Sequence, residues 1–470
     1  MIKFGTGGWR AVIGDEFTKA NLQTLAKAVA DMMHDEGVAE EGIVIGYDRR
    51  FLSKEAMQWI ACTFAAEGIR SFLINKSVPT PLVMFYVSHH DLHYGMMVTA
   101  SHNPALYNGV KVFLEGGRDA DEAKTGQIEA YIGRIGAGSV KEIPYEEGVG
   151  SGLISEIYPL NEYLDSIIDT VDMNAIRQKG LRVALDPMYG VSETSIKTIL
   201  MTARCEVETI HERHDTLFGG KLPAPTQATL KSLQEYVLDR YCDLGIATDG
   251  DADRIGVIDD EGNFLHPNDI LVLLYYYLHR FKGWTGPAVR NICTTHLLDR
   301  VAKSFGEECY EVPVGFKHIS AKMYATNAII GGESSGGMAV RGHIRGKDGI
   351  YASALLVEMI AVTGKKLSVL MKEIRDEFGS AELEERDYRF TPERKEEIKK
   401  LLLIDKQLPE LPFEAEKVSY LDGLKIYFTN GGWISVRFSG TEPLLRIFCE
   451  MGERSDAKQL CALFEEFLSL

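Results

Sequence analysis

The feature that most restricts how this chain can fold is a repeated rhythm in which a short apolar run leaves into a polar loop and then an amphipathic helical stretch. "GIVIGYD" (Gly42–Asp48), "LRVALDP" (Leu181–Pro187) and "PAVRNICTT" (Pro287–Thr295) all follow it. Such runs are too short for buried helices, and their alternation with helical segments is the βα pattern of a mostly parallel sheet. They recur at intervals of about a hundred-odd residues, which suits three α/β units of similar size, although no residue-level repeat is visible. A chain of 470 residues also exceeds the roughly 250–300 residues at which one core stops growing.

The rhythm changes near Ala381–Arg386. "LKIYFT", "WISVRFS" and "LLRIFCEM" are closely spaced strands, and "SDAKQLCALFEEFLSL" is an amphipathic helix expected to be capped by its Ser and Asp. The expected architecture is therefore α/β, with three similar domains of mixed, mostly parallel sheets and a smaller C-terminal α+β domain around a central cleft. The expected boundaries are 1–148, 149–262, 263–380 and 381–470, with turns at Gly136–Gly152 and Asp259–Phe264 marking the first two.

Each α/β unit has a further strand that ends in an unusual loop: "YGMMVTASHNP", "CDLGIATDGDADR" and "NAIIGGESSGG". Ligands of open α/β sheets bind at the carboxyl ends of strands, so three such loops can share one site. In the first, Ser101 and His102 stand side by side. A hydrolase pair is disfavoured, because nucleophile and base normally converge from separate segments and no G-x-S-x-G turn is present.

The second loop places Asp249, Asp251 and Asp253 at alternate positions, with Gly250 and Ala252 between them. Three carboxylates this close repel one another unless a cation neutralises them, which implies a hard divalent ion. An EF-hand is excluded, since Arg254 occupies the position of its obligatory glycine even though Asp260 fits the last slot. Three carboxylates leave part of a Mg²⁺ shell open, and a phosphate oxygen commonly completes it. Ser101 then reads as a phosphate carrier whose phosphoryl group joins the shell while Arg254 draws charge from phosphorus.

"VRFSGTEPLLR" offers Arg437, Ser439, Gly440, Thr441 and Arg446, a turn of backbone N–H groups, hydroxyls and guanidinium forks suited to a phosphate dianion. "GGESSGG" offers Glu333 and Ser335, a carboxylate and a hydroxyl suited to a sugar diol. Arg10 in "GTGGWR", Lys111 in "YNGVKV" and Lys317 in "GFKH" add cations near these loops.

Taken together, "GTGGWR", "TASHNP", "YNGVKV", "DGDADR", "GFK", "GGESSGG" and "RFSGTEP" resemble the α-D-phosphohexomutase superfamily, in the family's order from residue 5 to residue 446. The resemblance implies that Ser101 is phosphorylated in the active enzyme and that Asp249, Asp251 and Asp253 bind Mg²⁺ with that phosphoryl group. Arg10, His102, Lys111 and Arg254 would lie near the transferring phosphate. Glu333, Ser335 and Lys317 would face the sugar, and Arg437, Ser439, Gly440, Thr441 and Arg446 the phosphate that is not reacting. Two departures stand out: Gly337 and Phe316–Lys317 occupy positions where some relatives carry His.

The implied reaction interconverts hexose 1-phosphate and hexose 6-phosphate, with glucose or mannose as the sugar. It runs through phosphoserine and a bisphosphorylated sugar, with hexose 1,6-bisphosphate as activator. The bisphosphate must turn around in the cleft, and hinge motion of the fourth domain is the expected seal against water. The alternatives are a phosphoglucosamine mutase, a metal-dependent sugar-phosphate phosphatase and a sugar-phosphate binding protein without catalysis. A net charge of −17 argues against nucleic acid or an anionic membrane surface as partner. The longest apolar run, "ILVLLYYYL" at Ile270, is about half of a span. Seven scattered Cys without a C-x-x-C pair point to reduced thiols, so a cytoplasmic enzyme is expected, as monomer or homodimer.

Overall fold

The three apolar runs are strands in the computed structural model, Ile43–Tyr47, Arg182–Asp186 and Ala288–Asn291, and each leads into a helix, Ser53–Ala66, Glu193–Thr202 and Leu297–Ser304. The structure describes residues 2–5, 7–136, 138–438 and 444–470. Packing divides them into two units, Met1–Ile270 with Ser335–Ser368, and Leu271–Ser334 with Val369–Leu470.

The first unit holds two sheets. In one, the strand order is Trp9–Val12, Tyr107–Leu114, Tyr94–Val98, Ile43–Tyr47, Ser71–Ile74, Ile154–Ile157. The strands from Tyr94 through Ile157 in this order pair in parallel, whereas Tyr107–Leu114 runs antiparallel to both its neighbours. In the other, Glu206–Thr209, Arg182–Asp186 and Leu244–Thr248 are parallel, and Ile255–Ile258 returns antiparallel. Both sheets therefore end in the same device, a parallel strand followed by a turn and an antiparallel return strand. The turns are the Ser101 and Asp249 loops.

Helix Lys19–Asp35 shows how the layers form. Thr18 caps it by accepting from the Asn21 amide, and Leu22, Leu25, Ala26, Val29 and Met33 make one buried stripe at helical spacing. That stripe packs into the same core as Ile43, Ile45, Met96 and Val98 of the sheet. Loss of such a cap costs about 1 kcal/mol.

The second unit carries a parallel array, Cys309–Val312, Ala288–Asn291 and Ile330–Gly332, and an antiparallel sheet in the order Glu382–Arg389, Leu444–Met451, Trp433–Phe438, Leu424–Phe428, Ala415–Ser419. The C-terminal helix runs over Arg454–Leu468 with Glu453 at its N-cap and no side-chain cap bond. Ser455 and Asp456 therefore lie inside the first turn and do not cap the helix as expected. Asp456 there still meets the positive end of the helix dipole. Among the described residues, no helix is long and apolar enough to cross a membrane.

Candidate active site

Ser101 sits in the turn between Tyr94–Val98 and Tyr107–Leu114, buried, with a left-handed φ of 52°. Its Oγ donates to Asp249 Oδ2 at 2.7 Å, and His102 Nδ1 lies 3.2 Å from the same oxygen. The hydroxyl thus points at the acidic loop, which comes from a different sheet. The approach is close: a Cβ on Gly250 would stand 2.7 Å from the Ser101 carbonyl oxygen, so only glycine fits there.

Asp249, Asp251 and Asp253 are fully buried, and one carboxylate oxygen from each lies within 4.8 Å of the others. Lys111 Nζ donates to Asp251 Oδ2 and Asp253 Oδ2, both at 2.6 Å. Lys347 Nζ is 2.9 Å from Asp253 Oδ2, Thr80 Oγ1 donates to Asp251 Oδ2 at 2.6 Å, and the Arg254 amide donates to Asp249 Oδ1 at 3.1 Å. The charges are shared unequally. Burial, then Asp251 and Asp253, push the Asp249 carboxyl well above its ordinary range. Burial acts the same way on Asp253, but Lys111, Lys347 and Arg254 overcome it and hold that carboxyl well below. Lys111 is raised in turn: burial would lower it, and Asp251 and Asp253 outweigh that effect.

Even so, Asp251 Oδ1 and Asp253 Oδ1 are buried with no hydrogen-bond partner. Buried carboxylate oxygens without donors are costly. An all-oxygen donor set of three aspartates suits a hard divalent cation, so the residues fit one.

Arg10, on strand Trp9–Val12, donates to Asn103 Oδ1 at 2.6 Å. Burial and then Arg254 lower its proton affinity. Burial, then Arg254 and Arg10, keep His102 well below the usual imidazole range, hence neutral. Several cations around a neutral imidazole and a serine hydroxyl make a pocket suited to a phosphate group.

The third loop is split between the units. Glu333, buried in the second unit, accepts at Oε1 from Asn291 Nδ2 and the Gly315 amide, both at 3.1 Å. Lys317 lies half-buried in the first turn of helix Phe316–Thr326. Ser335 is exposed, and the following Gly336–Gly337 belongs to the first unit, where it bridges to Arg254 and accepts from the Ile255 amide at 3.1 Å. The Lys347 chain covers Gly337, for a Cβ there would fall 2.3 Å from Lys347 Cδ. In the C-terminal sheet Arg437 and Arg446 stand directly opposite on adjacent strands. Arg437 Nε donates to Asp422 Oδ2 at 2.9 Å, and Arg446 pairs with Asp387 at 3.5 Å. Ser439, Gly440 and Thr441 lie outside the described residues.

The structure thus brings Ser101, His102, Arg10, Lys111, Arg254 and the three aspartates together within one unit. Asn103 belongs to "TASHNP" itself, but the motifs alone did not point to Thr80, Lys347 or the buried Asp48 and Arg50 behind Ser101. The only available signal was their position, since each lies at a strand end or beside a helix start, in "GYDRR", "VPTP" and "GKDG".

Comparison with known proteins places this geometry. Models of the phosphoglucomutase/phosphomannomutase family match in sequence, with alpha/beta/alpha domain I at residues 1–138, domain II at 161–262, domain III at 266–378 and the C-terminal domain at 392–467. A "Phosphoglucomutase/phosphomannomutase" of Thermococcus kodakarensis is 28% identical over 98% of this chain and 97% of its own. A "Probable phosphoglucosamine mutase" of Thermococcus gammatolerans is 30% identical over 99% and 98%. The crystal structure of a "putative phosphomannomutase" from Thermus thermophilus superposes with a TM-score of 0.86 at 29% identity, covering 100% of this chain and 99% of the other.

Proposed function

The chain belongs to the phosphoglucomutase/phosphomannomutase family of the α-D-phosphohexomutase superfamily, an isomerase family, and on that premise we propose that it interconverts hexose 1-phosphates and hexose 6-phosphates through a phosphoserine at Ser101. The observation that carries this reading is the 2.7 Å contact between Ser101 Oγ and Asp249 Oδ2, in a buried cluster whose other aspartates keep oxygens without donors.

Asp249, Asp251 and Asp253, with the Ser101 oxygen or its phosphoryl group, would hold Mg²⁺, which when bound supplies Lewis-acid withdrawal of charge from phosphorus. In the transfer itself the bond from Ser101 Oγ to phosphorus breaks as one forms from the 6-hydroxyl of the sugar. His102, neutral and 3.2 Å from Ser101 Oγ, takes the hydroxyl proton and passes it to Ser101 Oγ as that oxygen leaves phosphorus. Lys111 does not serve as base, since both aspartates hold its ammonium charged, and it acts with Arg10 and Arg254 as a fixed positive frame for the moving phosphoryl group. Returning the phosphate from the 1-position of the bisphosphate to Ser101 completes the cycle, and added hexose 1,6-bisphosphate would recharge enzyme that has lost it.

Glu333, with Ser335 and Lys317, is assigned the sugar hydroxyls, and Arg437, Ser439, Gly440, Thr441 and Arg446 the distal phosphate. Two arginines directly opposite on neighbouring strands repel, and a dianion between them would turn that repulsion into binding. Seven free cysteines support a reducing, cytoplasmic setting.

The test is intact mass and turnover. Wild-type protein should carry about one phosphate, and Ser101→Ala should carry none, stay folded and lose turnover by several orders of magnitude. Near-normal activity of the variant would remove Ser101 from the mechanism.

Relatives named "Probable phosphoglucosamine mutase" at 29% and 30% identity favour a second reading in which the sugar is glucosamine. Glucose and mannose share the 3- and 4-hydroxyls that Glu333 would accept from, and Ser334 and Ser335 are too small to reject either epimer. We therefore expect activity on both, with weak activity on glucosamine 1-phosphate. Glu333→Gln should lower kcat/KM by roughly ten- to a hundredfold for both hexoses. Glucosamine 1-phosphate as best substrate, or an effect confined to one hexose, would overturn that assignment.

A further inference from the structure

Both peptide groups of Ser101 end, within one or two hydrogen bonds, on the same buried ion pair. Asp48 and Arg50 follow strand Ile43–Tyr47, their side chains are fully buried, and Arg50 Nε lies 3.3 Å from Asp48 Oδ2. Arg50 Nη2 donates to the carbonyls of Ser101 at 2.7 Å and Asn103 at 2.6 Å, and Nη1 to those of Pro104 and Tyr107, each at 2.9 Å. Asp48 Oδ2 accepts from Thr99 Oγ1 at 2.7 Å, and Thr99 Oγ1 in turn accepts from the Ser101 amide at 2.8 Å. Asp48 Oδ1 accepts from the Arg50 amide and from Ser53 Oγ, both at 2.9 Å. The guanidinium lies 4.9 Å from the centre of the Phe218 ring, which is itself buried.

This is far more than a loop needs in order to close. Four carbonyls converging on one guanidinium exploit the planar fork that only arginine has. They surround the one residue of the turn whose backbone is in the left-handed region, a conformation that a serine keeps only where its surroundings over-determine it. The direction of Ser101 Oγ toward Asp249 is fixed by that conformation.

We propose that Asp48 and Arg50 are positioning residues for phosphoryl transfer, which hold Ser101 in its left-handed conformation so that its oxygen, and a phosphoryl group on it, faces the aspartate cluster and the incoming hydroxyl. They touch neither substrate nor phosphorus. The proposal rests on the reading of Ser101 as the phosphoryl carrier. Misplacing a reacting group by about 1 Å can cost on the order of a hundredfold in rate, so the signature is a loss in kcat at preserved KM.

The experiment uses the full-length chain with glucose 1-phosphate and glucose 1,6-bisphosphate. Arg50→Lys keeps the charge but cannot reach four carbonyls, and Thr99→Val keeps the shape but removes the link from Asp48 to the Ser101 amide. Each should retain a cooperative melt and the phosphate on Ser101, lose about ten- to a hundredfold in kcat with KM within about twofold, and show a shifted or broadened phosphoserine resonance in the ³¹P spectrum. Unchanged kcat and an unchanged ³¹P line in folded Thr99→Val would overturn the proposal, even if Arg50→Lys failed to fold. So would a rise in KM at constant kcat. Wild-type protein that turns over without phosphate on Ser101 would instead overturn the phosphoserine reading and carry this proposal with it, and that outcome is read before any variant is made.

Discussion

Asp251 Oδ1 and Asp253 Oδ1 are the two atoms on which the metal reading depends, because they are buried, formally charged and without a donor. A cation that binds only the folded chain must stabilise it by mass action. Mg²⁺ should therefore raise the melting temperature of the full-length protein, Asp251→Asn should largely abolish that rise, and EDTA should stop turnover until Mg²⁺ is returned, with Ca²⁺ a poor substitute. Identical melting curves with and without Mg²⁺, together with full activity in EDTA, would defeat the assignment. At this scale the sequence was informative where residue type and spacing together name a chemistry. Three aspartates at alternate positions do so, and Ser101 follows from them. It was silent on Lys347, Thr80 and Arg50, because one cation or hydroxyl after a strand has no pattern of its own. What separates Arg50 from a surface arginine is burial among four carbonyls, a property of the tertiary fold.

Strands and helices were legible where their periodicity was strong, and the connections between them less so. The C-terminal helix starts at Arg454, one residue before the Ser and Asp read as its cap, since first-turn acids and capping acids look alike in sequence. Nothing in the residue pattern signalled that strand Cys309–Val312 is joined to the C-terminal sheet by a buried ionic cluster. Glu311 Oε2 accepts from Arg290 and Lys425, each at 2.6 Å, and its other oxygen accepts from Tyr427. Lys425 also donates to the Ile292 carbonyl at 2.6 Å, lies 3.1 Å from His296 Nε2 and sits 4.3 Å from the Trp433 ring centre. Beside it Ile292, Cys293, Trp433 and Phe448 form one apolar cluster. A hinge between these elements would have to break that cluster or move it whole. His296 makes the junction acid-sensitive. Burial and then Arg290 lower its pKa from 6.5 to about 3. With the folded value depressed, the unfolded chain takes the proton first, so the stability this residue contributes is complete above about 6.5 and is lost as pH falls toward 3. His296→Gln keeps an acceptor for Lys425 and does not titrate. Between pH 7 and pH 4 the wild type should lose roughly 3 kcal/mol more than the variant in urea unfolding, and superimposable acid limbs would refute the assignment.

For the molecule as a whole, the packing cuts across the sequence order. The family's third-domain model spans residues 266–378, yet Ser335–Ser368 packs with the first unit. The cause lies in helix Gly349–Thr363, buried on every side from Gly349 through Ile360. It packs on helices Met173–Lys179 and Glu193–Thr202 and on strands Leu244–Thr248 and Ile255–Ile258. A Cβ on Gly349 would lie 2.8 Å from the Arg254 carbonyl, so the helix start sits directly on the loop of the three aspartates. Asp348, its N-cap, accepts from Tyr163 at 2.8 Å, and Glu358 accepts from the Asp172 amide at 2.6 Å. An all-round apolar helix announces burial in sequence but not against what, so the boundary at 263 followed the order of the motifs. Nine apolar side chains of this helix are buried, seven of them larger than alanine and among these Ile350, Leu355, Leu356 and Val357, worth on the order of 10–20 kcal/mol as an upper bound. That is comparable to the whole stability of a typical domain. Residues 266–378 made alone should therefore lack a fixed fold, giving weak near-UV circular dichroism, ANS binding and aggregation. The full chain with Leu355→Ala should be destabilised by about 2–5 kcal/mol. A soluble fragment with a sharp cooperative melt would show that the helix finds its core within residues 266–378 and that the packing division is wrong.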